Sequence, residues 1–190
     1  MIPYQKEKLD NAICFFALEH KKKSGKNLVQ TYLYKYLAFV DFFSVEKTGV
    51  PAFGLEYTAM KRGPVPCDIY NKRHYLKTVL YEFKKKPGDI YVILPKQNPN
   101  LDYFSAFELV IMSRLIERYA TKYSTTDEIS EYSHKRILAW KRTYEKKVNG
   151  KIDYALTFRP ESTSAPVGAQ SIAEENYQIF STLKAKGECR

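Results

Sequence analysis

The segment from Gly49 to Pro66 constrains this chain more than any other, because its eighteen residues include three glycines and three prolines around a short stretch of alternating polarity. Glycine reaches positive φ without steric cost, whereas proline fixes φ and removes a backbone donor. Pro64 and Pro66 push the residues before them towards extended geometry, so the end of the segment cannot be helical. We expect a shaped loop around one strand, at about Leu55 to Arg62, closed by a turn at 63–66. The segment contains no catalytic motif, which favours a binding surface over an active site.

Apolar residues at helical spacing predict helices on both sides of this loop. A first helix is predicted from Gln5 to Lys23. A second begins near Asn27, with Gln30 as the partner in a capping box, and it is rich in aromatic residues, which predicts a central place in the core. A third helix is predicted from Cys67 to Lys85.

The second half of the chain predicts a β-hairpin followed by more helices. Ile90–Leu94 and Leu101–Phe104 are predicted to be the two strands of the hairpin. Ser105 and Thr125 each precede a glutamate by three residues, the spacing of a capping box. Helices are therefore predicted at 105–123 and 125–132. A further, basic helix is predicted at 135–147.

These elements predict an α+β fold. It is a mainly helical single domain of about six helices, with a short strand and a β-hairpin that form a small antiparallel sheet. Residues 1–150 are predicted to form the domain. Residues 151–190 are predicted to be a linker, rich in Pro, Ser, Thr and Ala at 159–169, and a C-terminal amphipathic segment at 172–183.

The chain carries a net charge of +10 from 31 basic and 21 acidic residues. The excess lies in three clusters, at 21–26, 72–86 and 135–151, which would attract an acidic protein or a nucleic acid. Solvated helix faces are the alternative for each cluster taken alone. If nucleic acid is the partner, its candidate contacts are Lys72, Arg73, Lys77, Lys84, Lys85, Lys86, Lys141 and Arg142.

Neither membrane insertion nor metal or cofactor chemistry is indicated. No run approaches the roughly 18 apolar residues of a membrane span, and the N-terminus lacks the order of a secretory signal, so a cytoplasmic protein is expected. The three cysteines are far apart and form no CxxC spacing, and the three histidines lack neighbours at metal-ligand spacing. No nucleotide-binding or hydrolase motif is present, so no cofactor, no metal and no enzymatic activity are expected.

Two further positions are candidates for function. Asp41 lies among aromatic residues, and a buried carboxylate there needs a partner; structural pairing and binding to another protein both remain open. Ser133-His134 followed by Ala139-Trp140 includes the single tryptophan, which serves either as a core anchor or as an interface residue.

Several motifs occur together in a fixed order. An aromatic helix ending in Ala38 to Asp41 precedes G-x-P-x-x-G-x-x-Y-x-A at Gly49 to Ala59, G-P-V-P at 63–66 and S-H-x-x-x-x-A-W at 133–140. In this order they resemble the Panacea domain, a group related to SocA-like antitoxins and to phage-associated proteins. The resemblance covers roughly residues 28–145.

The resemblance implies an antitoxin that neutralises a cognate toxin by direct contact between the two proteins. Some relatives deliver a toxin to a protease complex, and some antitoxins repress their own operon, which adds operator DNA as a partner. The candidate partner-binding residues are Asp41, Tyr57, Arg62, Gly63, Pro64, Val65, Pro66, His134 and Trp140. The alternative function is that of a basic nucleic-acid-binding regulator.

Overall fold

The computed structural model describes residues 2–158 and 171–188, which contain seven α-helices, five short strands and one 3-10 turn. The helices are α1 Gln5–Ser24, α2 Gln30–Thr48, α3 Cys67–Lys72, α4 Ala106–Tyr119, α5 Thr126–Arg136, α6 Leu138–Lys146 and α7 Ile172–Glu188. The strands are β1 Leu28–Val29, β2 Tyr57–Met60, β3 Gly63–Pro66, β4 Tyr81–Lys86 and β5 Ile90–Pro95, and the 3-10 turn is Tyr154–Thr157. The predicted α+β, mainly helical class is confirmed.

Helix α2 is the centre of the core, as its aromatic content predicted. Thirteen of its nineteen residues are buried, and they occupy every face of the helix rather than one stripe. Helices α1, α4, α5 and α7 pack around it, together with β3 and β5. The fully buried part of α2 contains two charged residues, Lys35 and Asp41, so each needs a partner inside the protein.

The second half of the Gly49–Pro66 segment is a β-hairpin. Strand β3 pairs antiparallel with β2 in the register Met60↔Gly63 to Tyr57↔Pro66, so the prediction of a turn at 63–66 is wrong. The Cys67 N–H donates to the Glu56 carbonyl (2.9 Å), which places the odd-numbered residues of this arm at the hydrogen-bonded positions. The two prolines fall on the other side of the strand, where no donor is required.

The predicted third helix begins at Cys67 as expected, but its predicted length is wrong, because it ends at Lys72 and the residues from Tyr81 form β4. Strand β4 pairs with β5 from Tyr81↔Pro95 to Lys86↔Ile90, across a three-residue turn at 87–89. Residues 101–104 are a turn rather than the second strand of a hairpin. Apolar residues at 76, 80 and 83 fit helical spacing, but pairing with β5 outweighs this local pattern. The sheet order is β1-β5-β4.

Helix boundaries follow capping chemistry where it forms. Ser105 and Thr125 make complete capping boxes with Glu108 and Glu128, which confirms both predicted starts. The predicted box at Asn27 is wrong, because α2 begins after Val29 without a side-chain cap and the preceding residues form β1. The last two predicted helices meet at residue 137, so the first is longer and the second shorter than expected.

The region after residue 150 continues to contact the body of the protein. The Ile152 N–H donates to the Tyr57 carbonyl (2.8 Å), and Tyr154 reaches the core. The predicted linker at 159–169 lies outside the described residues. The predicted C-terminal segment forms α7, which packs against α2. No helix within 2–158 or 171–188 is both long and apolar enough to cross a bilayer.

Candidate functional site

The carboxylate of Asp41 holds the loop that precedes β2. Asp41 is fully buried, with 0% of its surface exposed. Its hydrogen-bond donors are the N–H groups of Phe53 (2.6 Å), Gly54 (3.1 Å) and Leu55 (3.3 Å) and the hydroxyls of Tyr57 (3.0 Å) and Tyr154 (3.0 Å). Burial raises the pKa of Asp41, and the hydrogen bonds oppose that rise because they favour the charged form. The structure therefore shows that Asp41 is paired within the protein. Because Asp41 is fully buried, it has no atom available for direct contact with a partner.

The other buried charged residue of α2, Lys35, lies beneath the β2–β3 hairpin. Its side chain is 1% exposed, and its Nζ donates to the carbonyl oxygen of Pro64 (3.0 Å). Burial, and to a smaller extent the positive charge of Arg62, lower the pKa of Lys35 from 10.5 to about 7. The sequence interpretation missed Lys35. The signal was present, since Lys35 and Asp41 are the two charges in an otherwise uncharged run from Tyr32 to Phe43.

Gly63 fits where α2, α5 and the hairpin meet. Its φ is +100°, and a Cβ atom there would lie 2.5 Å from Ser133 Oγ and 2.8 Å from Lys35 Cε. Only glycine adopts this φ without strain and leaves room for Ser133 and Lys35, because any side chain at this position would collide with both of them. Gly63 from the first half of the signature therefore packs directly against Ser133 from the second half.

Three aromatic rings form a stack beside the same hairpin. The rings of His134 and Trp140 are nearly parallel, at 6°, with centroids 4.0 Å apart, and Tyr144 follows at 5.0 Å from Trp140. Trp140 Nε1 donates to the Met60 carbonyl (3.1 Å), which fixes the stack to β2. His134 Nε2 is buried and has no hydrogen-bond partner among the described residues. Burial and the nearby charge of Lys35 lower the pKa of His134.

The structure brings the candidate partner-binding residues into one region but buries most of them. The buried members are Asp41, Tyr57, Gly63, Pro64, Val65, Pro66 and Trp140. The His134 side chain is partly accessible, and Arg62, at the turn between β2 and β3, is 68% exposed. The signature residues thus form a rigid support, and Arg62 is the candidate that protrudes furthest from it.

Half of the eight candidate basic residues have partners within the protein. In the first basic cluster, Lys23 and Lys26 donate hydrogen bonds to backbone carbonyls near the end of α4. This is a structural role at a helix end, which was the alternative to attracting an acidic partner. In the second, Lys72 pairs with Asp68, Arg73 with Asp89 and Lys77 with Glu82. Arg142 donates to the Leu156 carbonyl. Lys84, Lys85, Lys86 and Lys141 are exposed and belong to none of the ion pairs within the described residues.

Helix α7 packs on Gly49, the glycine that ends α2. Asn176 Nδ2 donates to the Thr48 carbonyl (3.2 Å), and Tyr177 contacts the ring of Phe158. Beyond this contact, a cavity of about 620 Å³ lies between α7 and the N-terminal ends of α1 and α4, and Ile179 and Leu183 line it while remaining more than half exposed. The first two turns of α7 therefore dock the helix against Gly49 and Phe158.

Gly49→Ala is expected to release α7 from the body. Gly49 has φ +82°, and a Cβ atom there would lie 2.2 Å from the Ala173 carbonyl oxygen. The matched control is Gly25→Ala, because Gly25 has a similar φ of +73° but open space around the new methyl group. Both variants should lose about 1 kcal/mol to backbone strain. Only Gly49→Ala should accelerate hydrogen exchange and proteolysis across 171–188, and equal exchange in the two variants would contradict the docking.

Comparison with known protein families identifies a domain in this chain. The family model described as "Antitoxin SocA-like, Panacea domain" matches residues 33–141, which contain the Asp41 loop, the β2–β3 hairpin and the His134 and Trp140 rings of the stack. Helix α1 precedes the matched region, and α7 follows it. No curated protein and no solved structure matches the chain.

Proposed function

We propose that this chain, which belongs to the SocA-like Panacea domain family, is the antitoxin of a toxin–antitoxin pair and neutralises its toxin by binding it directly, without catalysing a reaction. Family membership supports an antitoxin role in general. The observation that carries the finer proposal is the assembly of both halves of the signature around Lys35 into a rigid, buried support.

The surface above this buried support has little conformational freedom to lose when a partner binds. Gly63 is fixed between Ser133 and Lys35, and Trp140 is hydrogen-bonded to Met60. The exposed side chains of the β2–β3 turn, Lys61 and Arg62, therefore protrude from a preorganised backbone. Preorganisation raises affinity because binding costs less ordering entropy.

Co-expression tests the antitoxin role. The product of the adjacent reading frame is expressed alone and then together with this protein. We expect it to arrest growth alone and to become harmless when the two are co-expressed. A harmless neighbour, or a neighbour that stays toxic, would overturn the proposal. Toxin lifetime then separates two modes of neutralisation, because an adaptor for a protease shortens it whereas simple binding leaves it unchanged or longer.

Arg62→Glu is expected to abolish neutralisation while leaving the fold unchanged. Arg62 is 68% exposed, and its approach to Asp127, at 3.9 Å, is too long and too solvated to stabilise the protein appreciably. An interface arginine commonly contributes about 2 kcal/mol or more to binding, so the Kd for the toxin should rise by about 30-fold or more. Arg114→Glu, an exposed arginine on α4, is the control. Equal affinity of both variants would exclude this turn from the interface.

A further inference from the structure

Strand β4 has a free edge. It is the last strand in the order β1-β5-β4, and residues 76–78 cover only its beginning. The Phe83 N–H donates to the Leu76 carbonyl (3.0 Å), and the Thr78 N–H donates to the Tyr81 carbonyl (2.8 Å). Because hydrogen-bonding direction alternates along a strand, the N–H and C=O of Lys85 point to this same outer side. No strand among the described residues pairs with them there.

The same edge carries an excess of positive charge. Lys84, Lys85 and Lys86 are consecutive and exposed, and none joins an ion pair in the described parts of the chain. The neighbouring acidic residues are already engaged, since Glu82 pairs with Lys96 (3.0 Å) and Asp89 with Arg73 (2.8 Å). The edge therefore has three ammonium groups that belong to no ion pair among the described residues, beside unpaired backbone groups, although Lys84 lies close enough to Glu82 to attract it.

Apolar side chains surround this edge and are unusually exposed. Val79 is 75% exposed and Tyr75 is 63% exposed, both on the segment that runs beside the start of β4. These side chains offer apolar contact to anything that lies along the strand.

We propose that the outer edge of β4 binds an extended acidic segment of a partner protein, which adds to the sheet as a further strand. Backbone hydrogen bonds at Lys85 supply affinity, and the lysines, which alternate between the two faces of β4, select a strand with carboxylates on both faces. Lysines on an edge also prevent like edges from pairing with each other, so the same charges exclude a second copy of this chain and favour an acidic strand. A nucleic acid would use the lysines but not the backbone edge.

The first test uses the full chain and a probe peptide of about ten residues that repeats Glu-Glu-Val-Val, which places carboxylates on both faces of an extended strand. Binding should shift the amide resonances of residues 83–86. The variant K84E/K85E/K86E should bind at least about tenfold more weakly. The control K141E/K146E/K147E changes net charge equally, at exposed lysines elsewhere, and should stay within about threefold of the wild type. No binding, or equal weakening by both triples, would overturn the proposal.

N-methylation of the probe separates strand addition from simple charge attraction. In a paired strand only alternate N–H groups face the protein. The unmethylated probe is compared with a probe methylated at every nitrogen, which keeps the same charge but has no N–H group; strand addition predicts that only the unmethylated probe binds. Equal binding of the two would leave only electrostatics and refute strand addition. Binding of a single-stranded oligothymidine through Lys84–Lys86, without peptide binding, would assign the edge to nucleic acid.

The antitoxin role and this edge can fail separately. The peptide measurement contains no toxin, so its outcome does not depend on the co-expression result. If the peptide binds and the neighbouring product is harmless, the edge serves another acidic partner. If neutralisation is confirmed and the peptide does not bind, the toxin uses a different surface.

Discussion

Asp41→Asn is expected to lower the free energy of unfolding by about 3–5 kcal/mol, the scale of a broken buried charge network. The wild-type carboxylate accepts from three backbone N–H groups and two tyrosine hydroxyls. An asparagine presents one oxygen and one NH2 group, so the donors beside the NH2 group would face another donor. Urea unfolding at neutral pH measures the change. Asp102→Asn, at an exposed aspartate, is the control and should change stability by less than about 0.5 kcal/mol.

The loss should be concentrated in the loop that Asp41 holds. Hydrogen exchange of the Phe53, Gly54 and Leu55 amides should accelerate more in Asp41→Asn than exchange in α1 does, because these amides lose their acceptor directly. Removing a single donor with Tyr154→Phe should cost about 1 kcal/mol. A loss below about 1 kcal/mol for Asp41→Asn would show that the carboxylate does not organise the loop.

The sequence predicted best those features whose partners lie within one helical turn. The capping boxes at Ser105 and Thr125 join a side chain to a backbone amide three residues later, and both formed as expected. The turn at Gly49 is likewise local, since a glycine at positive φ ends the helix. Such features need no knowledge of the rest of the fold.

Elements that depend on distant contacts were predicted poorly. The apolar spacing from Leu76 to Phe83 fits a helix, yet Phe83 lies in β4, which pairs with β5, and Leu76 and Leu80 precede that strand. The prolines at 64 and 66 indicated a turn, although a strand tolerates them on the side away from its partner. Both errors come from the same cause, which is that strand pairing is not visible in a window of a few residues.

The candidate site was likewise predicted well where it depends on local motifs and poorly where it depends on packing between distant elements. The motifs identified its two halves, and Gly63 against Ser133 confirms that these residues meet. The burial of seven candidate residues, and the presence of Lys35 beneath them, follow from packing between α2, α5 and the hairpin, which no motif encodes. The residues that identify the family are therefore mainly those that shape the support, and contact with a partner falls to exposed side chains around it.

Lys35 is a destabilising element at the centre of that support. Its pKa of about 7 in the folded protein is far below the ordinary value of 10.5. Between those two values the unfolded chain binds a proton that the folded protein does not, so stability rises with pH by about 1.4 kcal/mol per unit. Below about pH 7 the charged lysine is buried and the full penalty applies. Other groups add their own pH dependence, including His134 next to Lys35.

Lys35→Met isolates the contribution of Lys35, because methionine has a similar unbranched shape and no charge. At pH 6 the variant should be more stable than the wild type by about 2–4 kcal/mol, after about 1 kcal/mol is lost from the unpaired Pro64 carbonyl. The difference should shrink towards zero by about pH 10, because Lys35 is then losing its proton in the unfolded chain as well as in the folded protein. Urea unfolding across this range measures it, with the exposed Lys47→Met as control. A stability difference that does not change with pH would show that Lys35 is not buried as a charge. Reduced toxin binding by the more stable variant would show that the charge of Lys35 serves function at the expense of stability.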